Sequence, residues 1–124
     1  MEDARDTSPA NIQQVITVAA TDITDSMASY SNFGSVVDVF APGSNVTSTW
    51  NDGKYMTLSG TSMATPAVAG LVAYLLNIVG PKTSPAVMSD HITQLSTTGV
   101  LSDIRKRTSL VVVLFPFHSL RWFQ

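Results

Sequence analysis

The chain has 124 residues, of which 44% are hydrophobic and 13% charged. This composition suffices for one small domain with a core and excludes a disordered tail. The net charge of -2 gives no basic field for nucleic acid or an anionic membrane, and the lack of cysteine excludes disulfides, thiol catalysis and cysteine metal sites.

The N-terminal segment, residues 1–6, is acidic and lacks the apolar core of a secretory signal. The uninterrupted apolar run of residues 110–115 is far shorter than the roughly 20 residues of a membrane helix. From the sequence as it stands we expect neither an export signal nor a membrane span.

Two apolar runs predict strands of a parallel sheet. Residues 15–20 are rich in β-branched side chains, and residues 36–41 are apolar apart from Asp38. Strands in which apolar and polar residues do not alternate are covered on both faces, as in parallel sheets. Further along, Asn51-Asp52-Gly53 separates two short β-prone segments, 45–49 and 55–58, and this pattern predicts a hairpin.

Two helices are predicted after the hairpin. The first extends from about residue 62 to 79 and ends at Gly80-Pro81, which is a typical stop signal. It is apolar almost all round, which is typical of a central helix packed on several sides. The second, residues 84–95, is amphipathic. The predicted fold class is therefore α/β, with a buried central helix that starts at the serine.

Ser62 stands at the junction between the hairpin and the first helix. Gly60 permits a tight turn, and Thr61 or Ser62 can cap the helix. Free N–H groups and the positive end of the helix dipole suit a developing oxyanion, so Ser62 is a candidate nucleophile. The alternative is an ordinary capping serine. The nucleophile elbow of α/β-hydrolases is not matched, because Ala64 stands where that motif has glycine.

The passage around Ser62 resembles the nucleophile signature of subtilisin-like serine proteases, the subtilases. One departure is Ala67, where many members have histidine. The match is closest to the fungal, proteinase K-like branch, and similar blocks occur in the family's order. These blocks are Ser8-Pro9-Ala10, the strand 15–20, Tyr30-Ser31-Asn32-Phe33-Gly34, Asp38-Val39-Phe40-Ala41-Pro42-Gly43, and Gly60-Thr61-Ser62-Met63-Ala64-Thr65-Pro66 followed by Val68-Ala69-Gly70.

The resemblance implies a serine-type endopeptidase that hydrolyses peptide bonds through an acyl-enzyme. Residues 1–104 would form the C-terminal part of a subtilase catalytic domain, and residues 105–124 a divergent apolar tail. Ser62 would be the nucleophile, with its backbone N–H as an oxyanion donor. The implied partner is a peptide or protein substrate, provided that the missing N-terminal part is supplied; nucleic acid and membrane are not expected.

No block here matches the aspartate and histidine motifs that precede the serine in subtilases. Neither His91 nor His118 lies in a passage that resembles the histidine motif. The alternative function is therefore a catalytically inactive fragment, or a segment that associates with the missing half. The family is typically secreted or vacuolar, and the sequon Asn45-Val46-Thr47 has meaning only in an exported chain.

Asp38 is a lone carboxylate in an apolar strand, which is costly to bury without a partner. In the proteinase K-like branch the matching aspartate is a calcium ligand. The resemblance implies that backbone carbonyls of Gln13 and Val15 would complete such a site, since calcium prefers hard oxygen donors. An ordinary hydrogen-bonded aspartate is the alternative. The implied reaction requires no cofactor, and structural calcium is the candidate ion.

Overall fold

The computed structural model describes residues 1–105 and residue 108. Most of the predicted tail, including the apolar run 110–115, lies outside these residues, and the boundary at residue 104 stays a prediction. The elements in chain order are a short 3-10 helix (Ala4–Asp6), β1 (Val18–Thr21), β2 (Val39–Pro42), β3 (Val46–Thr49), β4 (Tyr55–Leu58), α1 (Thr61–Val79) and α2 (Pro85–Leu95).

Strands β1 and β2 pair in parallel, from Val18 opposite Val39 to Thr21 opposite Pro42. The prediction of two parallel strands is confirmed, but both begin three residues later than the apolar runs do. The reason is local hydrogen bonding: Val15 N–H donates to the carbonyl of Ile12 at 3.0 Å, and Val37 N–H donates to that of Gly34 at 3.2 Å. Turns therefore occupy the backbone ahead of each strand.

The predicted hairpin is confirmed as the antiparallel pair β3 and β4, which runs from Val46 opposite Leu58 to Thr49 opposite Tyr55. Trp50 N–H closes the loop by donating to the carbonyl of Lys54 at 2.8 Å. Gly53 has a φ of +80°, a conformation that glycine adopts without strain.

Helix α1 ends where the sequence predicts but starts differently. Gly80, with a φ of +102°, follows its last residue and donates to the carbonyl of Leu76 at 3.0 Å. At the other end Gly60 is the cap, without a side-chain hydrogen bond. The predicted cap by Thr61 or Ser62 is wrong, because both residues already lie inside the helix. The Ser84 hydroxyl caps α2, which begins at Pro85.

One side of α1 packs against β1 and β2. Ala64, Val68 and Leu75 are buried there, in one cluster with Met88 and Ile92 of α2. The expected packing on several sides is not seen in the part of the chain that the structure describes. Other large apolar side chains of α1 are exposed, namely Tyr74, Ile78 and Val79.

Helix α1 has 19 residues and a mean hydropathy of 1.6. By length and composition alone it would suffice to cross a membrane, a criterion that core helices of soluble proteins also meet. In this structure the apolar side chains on one side of α1 pack against the sheet.

Candidate active site

Two hydrogen bonds fix the segment that leads into Ser62. The Gly60 N–H donates to the carbonyl of Gly43 at 2.8 Å. The Asn45 N–H donates to the hydroxyl of Ser59 at 2.9 Å. Both join the chain just after β2 to the link between β4 and α1. The serine is therefore held at the carboxyl end of the parallel strands, where open α/β sheets usually place their ligands.

Gly43 makes this attachment sterically feasible. A Cβ atom at this position would lie 2.7 Å from the Cβ of Ala20 and 2.8 Å from the carbonyl oxygen of Gly60. No larger residue fits without moving β1 or the start of α1. The sequence pattern Pro42-Gly43 predicts only a turn, so this positioning role was not predicted.

The Ser62 side chain is exposed in the first turn of α1. Beside it, Met63 and Ala64 N–H groups donate to the carbonyl of Gly60, at 3.0 and 3.3 Å. Within residues 1–105 and 108, neither the N–H nor the hydroxyl of Ser62 makes a hydrogen bond. The serine thus presents a free hydroxyl and a free backbone donor at the positive end of a helix, which suits an anion.

The residues described supply no general base for Ser62. A serine nucleophile requires a base within hydrogen-bond reach of its hydroxyl, and this hydroxyl has no such partner there. His91 is half-buried on α2. His118 lies outside the described residues. The structure does not bring a described histidine together with the serine.

A cavity of about 320 Å³ lies on the Thr61 side of the helix start. Tyr30 and Asn32 contribute to its wall, as do residues of the N-terminal segment such as Thr7 and Pro9. Ser62 is not among the lining residues. Ser62 is therefore exposed outside this cavity.

The Asp38 carboxylate is half-buried just before β2. Burial raises the pKa of Asp38, and the hydrogen bond that its Oδ2 accepts from Thr17 N–H, at 2.7 Å, partly opposes this shift. The carbonyls of Gln13 and Val15 accept no hydrogen bond from any described residue. One carboxylate and free carbonyls are the donor chemistry that calcium prefers.

The described residues contain no group of three or more histidine, cysteine, aspartate or glutamate side chains that could hold a metal ion. A calcium site here would therefore depend on Asp38 as its charged ligand, completed by backbone oxygens. A cation beside Asp38 would also offset the desolvation that raises its pKa.

The model of the subtilase family matches residues 2–109. The chain belongs to the subtilase family. It is 51% identical over 106 residues to the alkaline serine protease of Corniculantispora psalliotae. The aligned segment covers 86% of this chain and 27% of that protein. It is 46% identical over 111 residues to proteinase T of Parengyodontium album. That alignment covers 90% of this chain and 37% of that protein.

The same relationship is visible in three dimensions. A crystal structure of a cold-adapted subtilisin-like serine proteinase superposes on this subtilase chain with a TM-score of 0.86 and 41% identity, covering 90% of this chain and 40% of that one. The chain thus has a subtilisin-like α/β fold, while it spans well under half the length of each of these relatives.

In this subtilase chain the two groups of predicted site residues lie at separate places. Ser62 stands after the hairpin and at the start of α1, whereas Asp38 lies before β2 and binds the backbone ahead of β1. Gly43 and Ser59, which position the serine passage, were not predicted as site residues. No local signal could have found them, because their role depends on contacts between distant segments.

Proposed function

We propose that Ser62 is the nucleophile of a subtilisin-like endopeptidase that cleaves peptide or protein substrates. The observation that carries the proposal is the exposed hydroxyl of Ser62 beside its own free N–H in the first turn of α1. The family membership supports it, as do relatives that are named serine proteases.

The proposed reaction follows from this geometry. The Ser62 oxygen attacks the scissile carbonyl while the histidine of a subtilase triad, supplied from outside the described residues, takes the serine proton. The oxyanion that forms accepts a hydrogen bond from the Ser62 N–H, strengthened by the dipole of α1. Collapse of this tetrahedral intermediate releases the amine product and leaves an acyl ester on Ser62, which water then hydrolyses.

A chimera tests whether this serine passage is competent. The 106 matching residues of the Corniculantispora psalliotae protease are replaced by those of this chain, which are 51% identical. We expect the chimera to hydrolyse a chromogenic peptide. A chimera that folds, as judged by circular dichroism, and yet fails to hydrolyse the peptide would contradict the proposal.

For the 124-residue chain alone we propose near-complete inactivity. The support is that the Ser62 hydroxyl has no partner within the described part of the chain, and therefore no base. The second candidate function is accordingly a non-catalytic piece of a subtilase, which associates with the segments that carry the other triad residues. The apolar side chains left exposed on α1 favour such an association.

We also propose that Asp38 is a ligand of structural calcium. Calcium in excess over its dissociation constant by a factor of 100 should stabilise the folded chain by about 2.7 kcal/mol. Asp38→Asn should abolish this gain, whereas Asp90→Asn, at an exposed position of α2, should leave it intact. The measurement is the thermal midpoint with and without calcium; equal gains in all three proteins would contradict the assignment.

The stabilisation of the chain by calcium should increase as the pH rises. Because burial raises the pKa of Asp38 above its unfolded value, the native state holds this proton more tightly. The stability that Asp38 contributes in the absence of calcium is lost as the pH rises through the native pKa. Calcium binds the ionised carboxylate, so the calcium-dependent rise in midpoint should grow over the same range.

We propose further that the protein works outside the cytosol. The support is the resemblance to a branch of subtilases that is typically secreted or vacuolar, and the relatives are fungal proteases of that branch.

A further inference from the structure

We propose that Asn45 is a site of N-linked glycosylation, beside the segment that carries Ser62. This inference rests on the proposed route outside the cytosol. Asn45-Val46-Thr47 is the single Asn-x-Ser/Thr sequence in the 124 residues, since the other four asparagines lack a hydroxyl two positions later. Any N-linked sugar on this chain would therefore map to one residue.

The side chain of Asn45 is available for modification. It is exposed, and its amide makes no hydrogen bond with any described residue. The backbone N–H is the group that the structure uses, through its 2.9 Å hydrogen bond to the Ser59 hydroxyl. A glycan on the side-chain nitrogen would therefore replace no contact of the fold.

The backbone conformation at position 45 suits asparagine. Asn45 has a φ of +55°, which asparagine tolerates better than most residues but which glycine adopts with less strain. The side-chain amide itself makes no hydrogen bond with a described residue, so it is available as the acceptor that glycosylation needs.

The third residue of the sequon is equally accessible. Thr47 is exposed on β3, and its hydroxyl lies 2.7 Å from that of Thr57 across the hairpin. Val46 between them pairs with Leu58 within the hairpin. Both recognition groups thus remain at the surface of the hairpin after folding, where a bulky hydrated sugar can stay without displacing the core.

The modification transfers an oligosaccharide from a lipid pyrophosphate donor. A bond forms between the Asn45 amide nitrogen and the anomeric carbon of the sugar, and the bond from that carbon to the pyrophosphate oxygen breaks. The amide loses one proton to the transferase base, and the lipid pyrophosphate departs with the electron pair. Ser59, which the Asn45 backbone contacts, is three residues before Ser62, so the sugar would border the approach to the serine.

The test expresses the full chain behind a secretion leader in yeast, as wild type and as five variants: Thr47→Ser, Thr47→Ala, Asn45→Gly, Ser62→Ala and Ser48→Ala. The mass of the chain is read before and after a glycan amidase, in total cell protein as well as medium, so a variant that folds poorly is still scored. Asn45→Gly suits the positive φ, and Thr47→Ser keeps the hydroxyl.

We expect a mass shift that the amidase removes in the wild type, Thr47→Ser, Ser62→Ala and Ser48→Ala, and none in Thr47→Ala or Asn45→Gly. The amidase should convert Asn45 to aspartate in the wild-type peptide. Retention in Ser62→Ala separates this result from any failure of the proposed protease function. An unmodified wild type, or a shift that persists in Asn45→Gly, would overturn the proposal.

A second measurement tests whether the folded surface has room for the sugar. The urea midpoint of the glycosylated chain should equal that of the unglycosylated chain, because the Asn45 side chain makes no contact to lose. A midpoint that is lower with the sugar attached would contradict the proposed surface position.

Discussion

Replacing Ser62 by alanine in the chimera should lower kcat for a peptide substrate by roughly a millionfold, the loss measured for subtilisin when its serine is removed. Alanine keeps the helix start and the backbone N–H but removes the attacking oxygen. Binding and oxyanion stabilisation should persist, so KM should change little and a residual rate above that in water should remain.

The matched control is Ser48→Ala, which removes an exposed hydroxyl from the hairpin. It should leave kcat unchanged. If Ser62→Ala kept kcat within tenfold of the parent chimera, while the chimera itself hydrolysed the peptide, another residue would be the nucleophile and the assignment of Ser62 would be wrong.

Replacing Gly43 by alanine should destabilise the fold by about 1–3 kcal/mol, the usual range for overpacking a tightly filled site. The new methyl group would meet the Cβ of Ala20 and the carbonyl oxygen of Gly60 at 2.7 and 2.8 Å. Because the Gly60 carbonyl belongs to the start of α1, the strain should also shift Ser62 and lower kcat in the chimera.

Gly70→Ala is the internal control for that experiment. Gly70 lies in α1, and a Cβ there would meet nothing within 4 Å. Alanine is the better helix former, so this variant should gain about 0.5–1 kcal/mol. The measurement is the urea unfolding midpoint of the 124-residue chain, in which Gly70 is exposed. Equal midpoints for the two glycine variants would show that the contact at Gly43 is loose.

Local signals in the sequence predicted the elements that local physics determines. Asp52-Gly53 predicted the turn between β3 and β4, because few residues tolerate the positive φ that Gly53 adopts. Gly80 predicted the end of α1 for a comparable reason. Each of these signals depends on the chain within a few residues of itself.

The features that were not predicted depend on distant segments. The approach of Gly43 to Ala20 and Gly60 joins parts of the chain that are 23 and 17 residues apart in sequence. The exposed side of α1 was missed for a similar reason. An apolar pattern shows that Tyr74 and Ile78 can be buried, but it does not show which neighbours cover them.

Some features of the candidate site could likewise be predicted from the sequence, and others required the coordinates. Ser62 could be named because a long passage of consecutive residues matches one family signature. The charge of Asp38 within an apolar run indicated that its carboxylate needs a partner, and the family resemblance implied calcium. The structure adds the hydrogen bond from Thr17 and the cause of the raised pKa of Asp38. Whether a base lies beside Ser62 can be judged only from coordinates, since residues far apart in sequence can meet in space, and none of the residues that the structure describes takes that place.

The most direct test of this account is the labelling of Ser62 by a fluorophosphonate, which reacts with serines that a base activates. Peptide mapping locates the adduct in the purified 124-residue chain and in the chimera. We predict rapid labelling at Ser62 in the chimera, and labelling of the chain alone no faster than that of its Ser62→Ala variant. Rapid labelling of Ser62 in the chain alone would show that this polypeptide contains its own base, and no labelling of Ser62 in a chimera that hydrolyses peptides would show that it is not the nucleophile.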